Sequence, residues 1–334
     1  MRMRDANYIN SYLQNMLTSN VPEATKSMIL NLNDYGKRAI VNYHDPSSDF
    51  HKHADLKDNI FKFSDSAEDN TPLFHYTTVS SLNNILKSGY FRIKQAKSMN
   101  DPNEFRWASS LAISYLEKQK ATYEEIDNFQ KMVDNQPFHD SYIWSFSKNE
   151  DSETLFYVYG RQDGLALELG EKDVMHMLVS HNSHGKDSFN KFSLGDAYTF
   201  PLKVLYNAQE QEEYVAPLAQ EWLDAYRGLK NDPDDIREIL TCCSKNIALF
   251  NMAFKNSKLF HEEEFRFVSL KKNDGSILPE LKIDNVNYIN CEFIPECIRS
   301  VTISPTCNVE KQEITEMVRK YAPHVYIKSS DLPY

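Results

Sequence analysis

An α+β fold is what this chain predicts, and three observations predict it. Short strands are separated by helices of unequal length, without the regular strand–helix–strand alternation of a doubly wound sheet. The 19 Tyr and 19 Phe among 334 residues suit a β-rich core with aromatic packing. Only 9 glycines are present, few for a glycine-fingerprint nucleotide fold. With 41% hydrophobic and 25% charged residues, the chain reads as a globular protein of one large domain or two modest ones.

The elements follow in order. Residues 5–44 read as helical: Tyr8, Ile9, Tyr12, Leu13 and Met16 recur at helical spacing, and Glu23–Ala39 sets Ile29, Leu30, Leu32 and Tyr35 near one face. Residues 45–70 are polar and read as a linker, with His51 and His53 in it. This places an N-terminal helical extension at 1–70 and a second domain at 71–334. Residues 73–77 read as a strand, 79–88 as a helix ended by Gly89, and 90–94 as a strand. Asn100-Asp101-Pro102 reads as a turn that opens a helix from Glu104 to about Lys120, followed by another over 122–134. Strands are expected at 142–147, 164–169 and 200–206, with a short aromatic helix over 153–159. Helices 209–228 and 232–256 precede a strand at Phe265, a hairpin-like Lys271–Ser276 and strands at 278–284 and 298–304. A helix over 310–321 and a strand over 325–329 close the chain.

Composition narrows the function classes. A net charge of −11 disfavours general binding to a phosphate backbone, although a local basic cleft is compatible with it. The five cysteines include the adjacent pair Cys242-Cys243, which suits one core and one surface position on a helix, and no CxxC pair. With no leader after Met1, these features predict reduced thiols, a cytoplasmic protein and no metal. No apolar run reaches the length of a membrane span, so no membrane partner is expected. His181 and His184 fall in a polar stretch and read as solvent-exposed.

Two segments carry chemistry that folding does not require. In Glu262-Glu263-Glu264-Phe265-Arg266-Phe267, strand alternation puts Phe265 and Phe267 on one face and Glu262, Glu264 and Arg266 on the other. Such a strand packs aromatics behind and presents two carboxylates and a guanidinium in front. In Leu73-Phe74-His75-Tyr76-Thr77-Thr78 an imidazole and hydroxyls interrupt an apolar strand. Each has a plainer reading. Glu262–Glu264 in isolation reads as a solvated charge run, His75 as a half-buried histidine bonded to backbone, and Arg266 as the partner that orients Glu264.

These segments occur in an order that resembles a bacterial family known as domain of unknown function 2971. The shared pieces are Leu73–Thr77, Met99-Asn100-Asp101-Pro102-Asn103-Glu104, Phe146-Ser147, Tyr157 and Tyr159, Gly164–Leu169, Glu262–Arg266 and the tail Ile327–Tyr334. The resemblance covers about residues 72–334. It departs where the family's Glu-Trp-Arg has Phe265, and where the family's earlier Trp falls near Leu155-Phe156.

A more remote resemblance is to the ADP-ribosyltransferases. These carry an Arg or His on a first strand, a Ser-x-Ser strand and a Glu-x-Glu strand around an NAD cleft. His75, Ser145-Phe146-Ser147 and Glu262-Glu263-Glu264 occur in that order. The resemblance implies a mixed β core of two packed sheets with inserted helices, and NAD as substrate without a metal. It implies catalytic roles for Glu264, Glu262 and His75. It implies NAD contacts from His75, Tyr76, Thr77, Ser145, Ser147, Tyr157 and Arg266. It leaves open which of Glu262, Glu263 and Glu264 faces the cleft. The implied activity is ADP-ribosyl transfer or NAD hydrolysis, in an intracellular toxin or phage-defence effector. The acceptor is protein, nucleic acid, small molecule or water, and residues 1–45 offer a protein-docking surface. Two rivals stand beside it: a metal-dependent nuclease, which needs a further Asp, and a non-catalytic nucleotide- or protein-binding module.

Overall fold

Capping and turn residues, more than composition, set where the elements of this chain begin and end. The structure, a computed structural model, describes residues 5–64, 70–99, 104–183, 197–229, 233–272, 278 and 280–333. The turn at 100–103 and His184 lie outside the described residues, as does most of the hairpin-like stretch 271–276. The chain divides into two compact units. One holds Met1–Ile60, Asn103–His139 and Leu205–Phe254, and the other Phe61–Pro102, Asp140–Val204 and Lys255–Tyr334. This division cuts the chain elsewhere than the composition boundary at residue 70.

The first unit is helical. Asp5 caps helix Ala6–Met16 by accepting from the Tyr8 amide, and Ile9 and Leu13 are buried as their spacing predicts. The expected helix over 23–39 is two helices, Glu23–Leu30 and Asp34–His44, because Asn33 caps the second by accepting from the Gly36 amide at 2.9 Å. The expected linker is also helical, in two short pieces, His51–Ala54 and Leu56–Phe63, with Phe50 and Ile60 buried; from Phe61 the second piece belongs to the other unit. Its few apolar residues, diluted among polar ones, do the anchoring. Gly36 and Gly228 let Asp34–His44 and Ala208–Gly228 approach closely: a Cβ on Gly228 would lie 2.0 Å from the Gly36 amide nitrogen. Cys243 is buried and Cys242 half-buried on helix Pro233–Ala253, as read.

The second unit is built on ten described strands: β1 Pro72–Thr78, β2 Tyr90–Gln95, β3 Tyr142–Ser147, β4 Gly164–Gly170, β5 Ala197–Lys203, β6 Glu264–Lys271, β7 Glu280–Ile283, β8 Val286–Glu292, β9 Ile298–Ile303 and β10 Tyr326–Ser329. Their order is β10-β9-β4-β1-β3-β2-β8-β7, with β6 on β3 and β5 on β6. Only β9 and β10 pair in parallel; the sheet is therefore mixed. The expected two packed sheets are one hydrogen-bonded network that forks at β3. Along one edge β3 pairs with β6 over its whole length, from Tyr142↔Ser269 to Ser147↔Glu264. Along the other edge β1 meets it only at Phe74↔Ser147, and β2 only at Lys94↔Ile143 and Gln95↔Tyr142.

Two elements escape the sequence reading. Strand β8 has little β-branched content beyond Val286 and Ile289. Helix Glu171–Ser183 has Val174, Met177 and Leu178 buried, and its last turn carries His181, which was read as a loop residue. The residues over 156–160 form a π-helical turn rather than a continued α-helix. The main core lies on the sheet face that carries Leu73, Trp144, Phe146, Leu167, Phe265 and Phe267.

Candidate functional site

Strand parity divides the expected site residues between two faces. Residues directly opposite one another in a sheet share a face, and neighbours along a strand alternate. Phe74, Ser147 and Glu264 are aligned across β1, β3 and β6, and Ser145 is opposite Arg266. Ser145, Ser147, Glu264 and Arg266 therefore stand on one face, with Tyr76. His75 and Thr77 stand on the other, with Leu73. The expected convergence of His75 with Ser147 and Glu264 does not occur.

His75 instead fills the fork of the sheet. Its Nδ1–H donates to the Ser145 carbonyl at 3.1 Å, where β3 has no strand partner on that edge. Its ring lies among Phe91, Trp144 and Phe146, with centroids 6.5, 5.8 and 5.5 Å away. Burial lowers its pKa from the ordinary value, and the bond to Ser145 only partly opposes this. His75 is thus the half-buried, backbone-bonded histidine of the plainer reading.

The acid segment folds as an ion network. Asn256 caps a 3₁₀ helix, Ser257–Glu262, which ends at Glu263 in the left-handed conformation with φ 44°. Glu262 therefore precedes the strand rather than belonging to it. The turn brings Lys255 back over β6. Glu264 accepts from Arg266 Nε at 2.8 Å and Nη2 at 2.9 Å, and from Lys255 Nζ at 2.9 Å. Lys255 also holds Glu262 at 2.5 Å. Arg266 is fully buried and Glu264 is 7% exposed, whereas Glu263 faces solvent. Burial pushes the Glu264 carboxyl up, but the Arg266 guanidinium and the Lys255 ammonium outweigh it and hold the pKa at about 2. Each of the two acids faces a base, the arrangement in which buried charges are tolerated. The polar face read from alternation is thus covered, not an open cleft wall.

The remaining residues have distinct settings. Ser147 Oγ donates to the Glu262 carbonyl at 2.7 Å and accepts from the Asn149 amide at 3.0 Å. Ser145 Oγ is buried and has no partner among the described residues. The Tyr76 hydroxyl donates to the Asn149 carbonyl at 2.8 Å and accepts from the Ser152 amide at 2.9 Å, which fixes its ring against Phe156. Tyr157 is 80% exposed on the π-helical turn. Lys255 was missed by sequence reading; its only signal is a lysine shortly before three glutamates. Among the described residues no group of three or more His, Cys, Asp or Glu side chains is arranged as a metal-ligand set. Among them, no helix is long and apolar enough to cross a membrane.

No family model and no curated protein sequence matches the chain. Among solved structures, DarT of Thermus sp. 2.9 in complex with NAD+ is similar at 12% identity over 78% of this chain and 96% of that one, with a TM-score of 0.30. The same protein with ADP-ribosylated ssDNA gives 13% over 79% and 97%, at 0.30. With carba-NAD+ it gives 14% over 78% and 95%, at 0.28. Scores this low establish neither a common fold nor a common chemistry.

Proposed function

We propose that the protein is an NAD-consuming enzyme that breaks the nicotinamide–ribose bond and passes ADP-ribose to an acceptor or to water. The observation that carries this reading is one sheet face on which the pairs Ser145–Arg266 and Ser147–Glu264 stand side by side on β3 and β6. Departure of nicotinamide with the bonding electron pair leaves positive charge on the ribose ring. A carboxylate held ionised at every physiological pH, as Glu264 is, stabilises that charge. Lys255 bridges Glu262 and Glu264, and its shift onto Glu262 frees one acceptor position of Glu264 Oε2, beside the Arg266 Nη2 bond, for the ribose 2′-hydroxyl. The unpartnered Ser145 hydroxyl holds the ribose or the carboxamide. The attacking O–H or N–H gives its proton to Glu262. His75 acts through the Ser145 carbonyl and is a positioning residue, and Tyr157 is the ring exposed for stacking. An NAD-depleting activity of this kind suits a toxin or a phage-defence effector. The fold in this reading is an ADP-ribosyltransferase-like one whose sheet is forked.

The test is incubation with NAD and chromatography of released nicotinamide, with no acceptor, with protein lysate and with single-stranded DNA. Release that Glu264→Gln lowers by ~100-fold or more supports the reading. Absence of both nicotinamide release and NAD binding overturns it.

A second reading is favoured by the saturation of Glu264, whose oxygens are both engaged by Arg266 and Lys255. In it the unit is a non-catalytic binding module, and Glu264→Gln leaves biological activity intact while lowering stability.

A further inference from the structure

Strand β4 reads Gly-Leu-Ala-Leu-Glu-Leu-Gly and carries one charged side chain, Glu168, in an otherwise apolar central strand. Its cross-strand neighbours are Phe74 on β1 and Ser300 on β9. Ser300, Glu168, Phe74, Ser147 and Glu264 thus form one rung on one face, with Glu168 three strand steps, on the order of 14 Å, from Glu264. Glu168 is half-buried and accepts a hydrogen bond from Ser300 Oγ to Oε2 at 2.5 Å. Among the described residues no cation pairs with it. Beside it on the same face, Thr302 stands opposite Ala166, is 2% exposed, and its Oγ1 has no partner. Lys328, across from Thr302 on β10, is engaged by Glu150.

A hydroxyl buried without a partner is costly in a sheet, where an aliphatic side chain would serve packing better, and beside it stands a half-buried carboxylate that no cation among the described residues neutralises. Together they specify what would complete them. The carboxylate accepts two O–H bonds, and the Thr302 hydroxyl both donates and accepts. Vicinal hydroxyls match this mixed set. An ammonium group, which only donates, would leave the Thr302 proton unpaired.

We propose that Glu168, Ser300 and Thr302 form a subsite for the vicinal diol of a ribose. The proposal rests on the NAD reading above for its ligand class and assigns to that ligand a contact distinct from Glu264. The test is calorimetric binding of NAD and of ADP-ribose to the full chain and to Glu168→Gln and Thr302→Val, with nicotinamide release and thermal melting measured in parallel. The expected result is ADP-ribose affinity lowered ~10- to 100-fold in Glu168→Gln and about 3-fold in Thr302→Val, with melting nearly unchanged. Thr302→Val, nearly isosteric, keeps the test informative if Glu168→Gln folds poorly. Binding of ADP-ribose that depends on Glu168, without NAD turnover, keeps the subsite and removes the NAD-cleaving reading. Nicotinamide release with unchanged KM in both variants keeps that reading and overturns the subsite. A wild-type chain that binds neither probe overturns both.

Discussion

Glu264 and Glu168 stand on one rung of one sheet face, yet their surroundings are opposite. Glu264 is buried, bonded by a guanidinium and an ammonium, and held at a pKa of about 2. Glu168 is half-buried, bonded by one serine hydroxyl, and has no cation partner among the described residues. Burial of a charge demands compensation, so the deeper acid is the one that folding itself has satisfied. The shallower acid keeps its capacity for a ligand. Sequence resemblance points to the first acid, whereas the chemistry of unsatisfied groups points to the second.

The comparison is most easily broken by removing a partner. Arg266→Ala strands the buried Glu264 carboxylate and is expected to cost about 3–5 kcal/mol in denaturant unfolding, enough to threaten the folded state. A loss below about 1 kcal/mol would show that the network is not structural. Acid titration sharpens it next. The folded pKa of Glu264 lies below its unfolded value, so its contribution is full above the unfolded pKa and disappears as pH falls toward 2. The amount is about 3 kcal/mol at most. Glu264→Gln is expected to flatten that acid limb of the stability curve.

The fork provides a smaller test of the same sign in a higher pH window. The folded pKa of His75 is lowered, so its penalty appears as pH drops below the unfolded value near 6.5 and is complete below the folded pKa. His75→Gln is expected to lessen the loss of stability between pH 7 and 5, measured by melting temperature. Glu168→Gln itself is expected to shift stability by less than about 1 kcal/mol. Tyr157→Ala, at an 80% exposed position, should fall within about 0.5 kcal/mol in the same measurement, and so separates an effect on turnover from an effect on folding.

Much of the sheet unit was legible because its strands carry strong local patterns. Phe265 and Phe267 point into the core and Glu264 and Arg266 away from it, as alternation requires. Gly89 ends its helix in the left-handed conformation, with φ 74°. The linker was misread because its helices are short and anchored by scattered apolar residues, too few for a periodic signal. Strand β8 and helix Glu171–Ser183 were missed for similar reasons: weak propensity in one, and a polar flank beside the other. Among the three consecutive glutamates, Glu263 takes the left-handed region and is exposed, whereas Glu264 begins the strand and is buried, a distinction that alternation alone does not make.

The amino-acid order by itself determined the mixed α+β character, the positions of most strands and the sidedness of each one. Alternation is a local property of an extended backbone, and a single strand reveals it. Only the tertiary structure decided which sides coincide. One register, Phe74 opposite Ser147, places His75 behind the sheet and aligns Glu168 with Glu264. A slip of one residue would have reversed both outcomes, because register is fixed by partners distant in the chain.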